Sequence, residues 1–432
     1  MKIRSLILCI GVCWGATAMG QTWTAYNTHN SKINGDNVLA LAIDKQNGLW
    51  VGTTEGLCQY RNQTWTDYAQ FNEKLKNQFV NCLIVEGNRL WIGTDDYGVI
   101  EFTSGRWTEH DEETRRMNMK YIRDMAVDHA GVKWIGVTLS GLVEYDGVNW
   151  NKYTTKADGL LSDFILCVAI DQRDRKWIGT NDGLCVFDGR KWTSYTTRNS
   201  RLPHNITLAL AIDRDNVKWI GTLDGLCRFD GEQWKIFQKE NSPLPGNQVN
   251  ALAMDAEGLL WIATDGGVAV FDGKSRWDVF AKGKELPNCM CQKIVADKSG
   301  NVWVGTDEQG LLRLSGYRMA DPAEEAAADS LALAKRQQTT RKNNAADEET
   351  EAPDTPENRI KITPNLAEGF ITISMNCAQA EVTFINAAGE KVRTVPKYKN
   401  GGHLSINKMP HGRYTVKVKT PQGTRTAHFT LK

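Results

Sequence analysis

The chain lacks several features that would assign it quickly. It has no charge imbalance: 52 Lys or Arg against 51 Asp or Glu leave +1 over 432 residues. That excludes a protein drawn to nucleic acid by bulk charge. Beyond one N-terminal stretch, no apolar run approaches the ~18 residues that cross a bilayer, so no transmembrane segment is expected in the mature chain. Histidine is scarce, at seven. No His-x-His, C-x-x-C or Cys/His cluster has the spacing of a zinc site. A glycine-rich phosphate loop and a nucleophile elbow are missing too. Proline is low at 11, whereas Gly reaches 38 and Trp 15. At 41% hydrophobic and 24% charged the composition is globular. So many tryptophans ask for an internal repeat.

The N-terminus reads as an export signal. Lys2 and Arg4 precede a mostly apolar stretch from Ser5 to Ala16, and small residues follow at Ala16, Ala18 and Gly20. This order defines a secretory signal over residues 1–20, with cleavage expected near Gly20–Gln21. Lipid attachment at Cys13 is the weaker alternative, because Val12 is bulkier than such a site prefers. The mature protein is therefore expected outside the cytoplasm.

One tetrapeptide recurs at Trp50, Trp91, Trp134, Trp177, Trp219, Trp261 and Trp303, reading W-[IV]-[GA]-[TV], at spacings of 41, 43, 43, 42, 42 and 42. A second series, Trp23, Trp65, Trp107, Trp150, Trp192, Trp234 and Trp277, keeps the same phase. Each unit reads as four short strands. In the sixth these are Val249–Met254, Leu259–Thr264, Val268–Phe271 and Trp277–Phe280. Asp-Gly turns such as Asp188-Gly189 and Asp230-Gly231 suit hairpins that need positive φ. Four short strands per ~42 residues predict an all-β, seven-bladed β-propeller over residues 21–317. The phase also predicts its closure. The chain opens on a lone outer-strand motif, Trp23 to Tyr26, and the seventh unit lacks one. Residues 22–28 are expected to complete blade seven, so that no strand edge is left open.

These repeats resemble the two-component-regulator propeller repeat. Asn37 to Asp44, Gly48, Trp50 to Thr53 and Gly56-Leu57 to Tyr60 carry the likeness. The resemblance implies an extracellular recognition domain, often for glycans. The chain has one propeller rather than two and no membrane helix or kinase, so no signalling through the chain itself is expected.

Residues 319–357 contain no Gly and no aromatic, and hold ten acids against four bases. A linker over 318–357 is expected, with a short helix through Ala323 to Gln337. Strand patterns resume at Ile360 and predict a small β-sandwich over 358–432 with eleven bases against three acids from Ile360 onward. This tail resembles the C-terminal sorting domain of type IX secretion substrates of Bacteroidota. Pro364, Asn365, Gly369, Gly389, Gly412 and Tyr414 carry the match, although Leu366 and His411 depart from the usual pattern. The resemblance implies Sec export, periplasmic passage and delivery across the outer membrane to the cell surface or medium. It also implies the type IX machinery and its sortase as partners, and anionic lipopolysaccharide as the anchor.

Candidate chemistry is sparse. Cys58, Cys185 and Cys227 share a repeat column with Ile100, Val143, Ala269 and Leu312, so a packing role is expected. Cys82 and Cys167 share the innermost-strand column with Ala40, Ala209 and Ala251. Cys289 and Cys291, one residue apart on a predicted strand, are expected on opposite faces. Asp recurs at the end of the first strand of six units, where its side chain suits a turn. Calcium would need a bidentate Glu at loop spacing, and none follows; no cofactor is expected. The turns between the second and third strands carry Glu55, Asp95, Asp96, Asp182, Asp224, Asp265, Asp307 and Glu308. By propeller geometry these form an acidic rim around the channel mouth, which offers itself to a cation or to sugar hydroxyls. A streptogramin lyase, which the repeats resemble distantly, needs clustered His and Glu; here His29, His110, His129 and His204 lie in separate units. The leading expectation is a non-enzymatic glycan- or protein-binding propeller. The alternatives are an accessory component of the type IX machinery that binds anionic lipopolysaccharide, and a propeller lyase or hydrolase.

Overall fold

The structure is a computed structural model that describes residues 21–319 and, in the tail, 360–365, 370–375, 377–406, 409–421 and 423–431. The expected signal, linker helix and Gly369 lie outside the described residues. The chain divides into two compact units, Met1–Met319 and Ala320–Lys432.

In the first unit the described residues form seven four-stranded antiparallel sheets. The first sheet shows the plan: strand a, Val38–Ile43; b, Leu49–Thr53; c, Gly56–Arg61; d, Thr64–Asp67. Each innermost strand contacts the innermost strand of the next sheet, and the seventh contacts the first, so the sheets form a closed ring. The seventh sheet is composite: Thr22–Tyr26 pairs antiparallel with Leu311–Ser315, Trp23 lying opposite Leu314.

One carboxylate shapes each turn between strands a and b. Asp171 is typical. Its Oδ1 accepts the backbone N–H groups of Arg173 and Arg175, and its Oδ2 accepts the Trp177 indole N–H at 3.0 Å. Asp44, Asp128, Asp213, Asp255 and Asp297 repeat the bond to Trp50, Trp134, Trp219, Trp261 and Trp303 at 2.8–3.1 Å. The second sheet has a turn one residue shorter, and there Glu86, with its longer side chain, reaches Trp91 at 3.0 Å. This accounts for the spacing of 41 that precedes one of 43. The residue three after each Asp is left-handed, as at Asn47, Gly131 and Asn216.

Lysines then tie sheet to sheet. Lys133, Lys176 and Lys218 reach back to Glu86, Asp128 and Asp171 of the preceding sheet at 3.0, 3.2 and 3.6 Å. Each also sits over that sheet's Trp ring at about 5 Å. The glycine of the tetrapeptide permits close approach of the sheets. A Cβ on Gly179 would lie 2.3 Å from the Cys167 Sγ and 2.8 Å from Thr207 of the next sheet. The outer Trp series packs across strands, as in Phe229–Trp234 with ring centroids 4.2 Å apart.

Among the described residues the cysteines are free and, in the ring, buried. Burial pushes the Cys58, Cys185 and Cys227 thiols up to about 12, as fits packing residues. Cys289 and Cys291 do not take opposite faces. The strand begins only at Cys291, Cys289 lies in the preceding turn, and the two thiols hydrogen-bond each other.

The second unit is a sandwich of a three-stranded sheet and a four-stranded sheet. Ile371, Ile373, Val382, Phe384, Val416 and Val418 are fully buried in its core. Pro364 and Asn365 lie in the strand Lys361–Asn365. Gly389 takes φ +85° in a turn built on Asn386, whose Oδ1 accepts from Ala388 and Glu390. Gly412 opens the strand Gly412–Thr420. Tyr414 is buried, stacks on Phe429 and donates its hydroxyl to the Pro410 carbonyl at 2.7 Å, in the manner of a tyrosine corner.

Two outcomes are expected. Asp171→Ala leaves Trp177 and Lys218 without their buried acceptor and should cost about 3–5 kcal/mol, measured by denaturant unfolding. Burial disfavours the charged forms of Asp128 and Asp171, but their donors outweigh it and hold both carboxyls below the usual range. Their contribution is therefore complete above about pH 4–5 and is lost as pH falls through the folded values. Deleting residues 21–28 strips the outer strand from the seventh sheet and should lower the melting temperature of the whole ring, read by circular dichroism.

Candidate functional site at the channel mouth

Every innermost strand begins with a bulge. Leu39, Asn81, Arg123, Leu166, Leu208, Asn250 and Gln292 each fall at a register shift against strand b. An unpaired extra residue re-aims its side chain. All seven line one cavity of about 320 Å3, joined by Gln248, Met290 and Lys293. A cavity touched by the innermost strand of every sheet is the axial channel. The b–c turns lie at this end, because their first residue donates its N–H to the residue before each strand a. Asp265 to Gln248 and Asp307 to Met290, both 3.2 Å, are examples.

The lining has an aliphatic arc, Leu166 and Leu208, and a polar remainder. The carboxamides are held by one another and by their neighbours. Gln248 donates to Asn250 Oδ1 at 2.9 Å, Asn250 to the Cys291 carbonyl at 2.9 Å, and Gln292 to Asn37 Oδ1 at 3.3 Å. Asn81 donates to Asp95. Arg123 is exposed and Lys293 half-buried. One residue further along each strand, the column reads Ala40, Cys82, Asp124, Cys167, Ala209, Ala251 and Lys293. Asp124 accepts the Val168 N–H of the next sheet at 2.8 Å and the Met125 N–H at 2.9 Å. Burial raises its carboxyl pKa, against the opposing pull of Lys293 and these N–H groups. Burial and the Asp124 charge raise the Cys82 and Cys167 thiols.

None of the acids anticipated at the rim lines this cavity. Glu55, Asp96, Asp182 and Glu308 are exposed on the turns, and Asp224, Asp265 and Asp307 are half-buried there. Most serve the turn itself. The Glu55, Asp182 and Asp224 N–H groups bond the hydroxyl of the preceding Thr53, Thr180 and Thr222. Asp224 Oδ1 accepts from Asn247, Asp265 Oδ1 from the Gln248 N–H, and Asp307 Oδ1 from the Met290 N–H. Among the described residues no group of three or more His, Cys, Asp or Glu could hold a metal ion.

The channel-lining residues had a signal in the sequence. Their column carries Leu in three units and Asn, Gln or Arg in the others, whereas the flanking buried columns stay small or apolar in most units.

Two family models match the chain. Residues 361–432 match the secretion system C-terminal sorting domain, and residues 32–55 and 243–266 match the two component regulator propeller. No curated protein matches by sequence. Among solved structures, the extracellular domain assigned to a hybrid two-component system of B. thetaiotaomicron is similar at TM-score 0.61 and 17% identity. That match covers 95% of this chain and 57% of that one, so the chain spans little more than half its neighbour's length. Virginiamycin B lyase of Staphylococcus aureus matches at 0.55 and 11% identity, over 68% of this chain and 99% of that one. PorZ, a bacterial surface component of the type-IX secretion system of Porphyromonas gingivalis, matches at 0.53 and 13% identity, over 95% and 61%. No helix of the described residues is long and apolar enough to cross a membrane. The chain carries two-component-regulator propeller repeats in its ring and, in its tail, a secretion system C-terminal sorting domain that marks it for type IX export to the cell surface.

Proposed function

We propose that this protein is a recognition propeller displayed at the cell surface, with its ligand seated at the channel mouth and a glycan as the leading ligand class. One observation carries the reading. At seven equivalent bulge positions that a leucine fills without difficulty in three sheets, the other four present Asn81, Arg123, Asn250 and Gln292 into one cavity. Carboxamides offer both donors and acceptors, which suits hydroxyl-rich ligands. Rigid strands hold them, as precise recognition needs. The lining supplies aliphatic, amide and cationic groups and no nucleophile beside a base, which favours binding over catalysis.

A second reading comes from the likeness to PorZ, which spans ring and tail together. Here the tail stays on the mature protein and serves the secretion machinery, with anionic lipopolysaccharide as its partner. The tail's eleven bases against three acids from Ile360 onward support it.

Truncation after Glu357 should abolish appearance at the cell surface and leave the ring in the periplasm, read by fractionation. Undiminished surface display would overturn export through the tail. The intact mass of the surface protein then separates the readings. Loss of the tail with a lipopolysaccharide adduct marks an anchored recognition protein, and a chain running to Lys432 marks the machinery component.

A further inference from the structure

We propose that the channel mouth binds a single anionic group, a carboxylate or phosphate on a small hydroxylated molecule, held between Arg123 and Lys293. This deepens the recognition reading and rests on it.

The fold asks neither cation for a hydrogen bond or a close ion pair, although both lend their charge to the buried Asp124. Arg123 stands where Leu39, Leu166 and Leu208 stand in other sheets. Lys293 stands where Ala40, Ala209 and Ala251 do. Among the described residues neither makes a hydrogen bond or an ion pair. The contrast with the other ring lysines is instructive: Lys133, Lys176 and Lys218 each find a carboxylate at 3.0–3.6 Å and a Trp face. Arg123 is exposed and Lys293 half-buried at the mouth, and neither is held in a close pair with a protein carboxylate. They are therefore available to a ligand.

The charge count sets the ligand's charge. Asp124 is the acid that acts on this pair, and its two oxygens already accept from Val168 and Met125. One negative charge against two positive leaves a single positive charge for a ligand. The acidic turns outside the cavity oppose a polyanion, which would have to lie across Asp182, Asp224 and Glu308. A lone oxyanion inside the mouth meets the Arg123 fork directly, a geometry suited to carboxylate or phosphate. The interlocked carboxamides Gln248, Asn250 and Gln292 keep spare capacity for hydroxyls on the same molecule.

The sister sheets supply the test variants. Arg123→Leu and Lys293→Ala install residues that the same positions already carry elsewhere in the ring, so both should keep the wild-type melting temperature within a few degrees. Arg123→Gln removes the charge and keeps a polar side chain. Calorimetric titration of the wild-type protein with D-glucuronate and with inorganic phosphate should give saturable binding to at least one. D-glucose should bind at least tenfold more weakly. Each variant should weaken the anion at least tenfold, Arg123→Gln included, and the two arms show whether carboxylate or phosphate is preferred. Anion affinity unchanged in folded variants overturns the proposal, as does absence of binding of both anions to the wild type. Glucose binding that equals glucuronate and survives Arg123→Gln overturns the anion assignment but leaves the recognition reading standing. A neutral-glycan ligand found on an array, and lost on Asn250→Leu alone, would separate them in the same way.

Discussion

The hydrogen bond from an indole N–H to the carboxylate of the preceding turn is the interaction on which the rest of the ring depends. It occurs in all seven sheets, and in the six where the carboxylate is an Asp it does two things at once. Its Oδ1 side closes the turn between strands a and b, while its Oδ2 side fixes the large ring that fills the space to the next sheet. A buried carboxylate is costly unless its lone pairs are filled, and here two backbone donors and an indole fill them. In three sheets a lysine from the following sheet completes the set and joins neighbours through charge as well as packing. The glycine that follows the Trp by two residues then lets the sheets approach. In the sixth sheet Ala263 takes that place, within the same core cluster as the small Cys291.

A ring locked this way leaves its axis free to vary. The bulge at the head of each inner strand takes one residue out of the ladder and turns it inward. That residue is released from the alternation that governs its neighbours, so it can be Leu, Asn, Gln or Arg without loss of sheet pairing. Recognition and stability are thereby separated by one position along the strand. The acidic turns around the mouth belong mainly to the stabilising side of this division, since threonine hydroxyls and backbone N–H groups organise them. The sandwich is a separate unit with its own core.

Much of this was legible in the sequence because the information is local and repeated. Period-two alternation, Asp-Gly turns and the Trp series mark four strands per unit. The orphan motif at Trp23 and the short seventh unit indicate how the ring is joined. The six-residue interval from Asp to Trp was visible as well, but the bond across it was not, because spacing alone does not show that the indole folds back onto the turn. The Cys289–Cys291 contact was misread for a different reason. Residues two apart on a strand share a face, so the opposite-face expectation misapplied the alternation, and the strand begins only at Cys291, two residues after Cys289.

What the sequence determined by itself is therefore the repeat, the strand order and the identity of the tail, each written in short-range pattern. The tertiary structure alone decided which side chains face the axis. A bulge shifts the facing residue by one, and closure of the ring brings Arg123 of the third sheet and Lys293 of the seventh to the same cavity. No pairwise spacing along the chain encodes that meeting, because it arises from the accumulated rotation of the sheets around the axis.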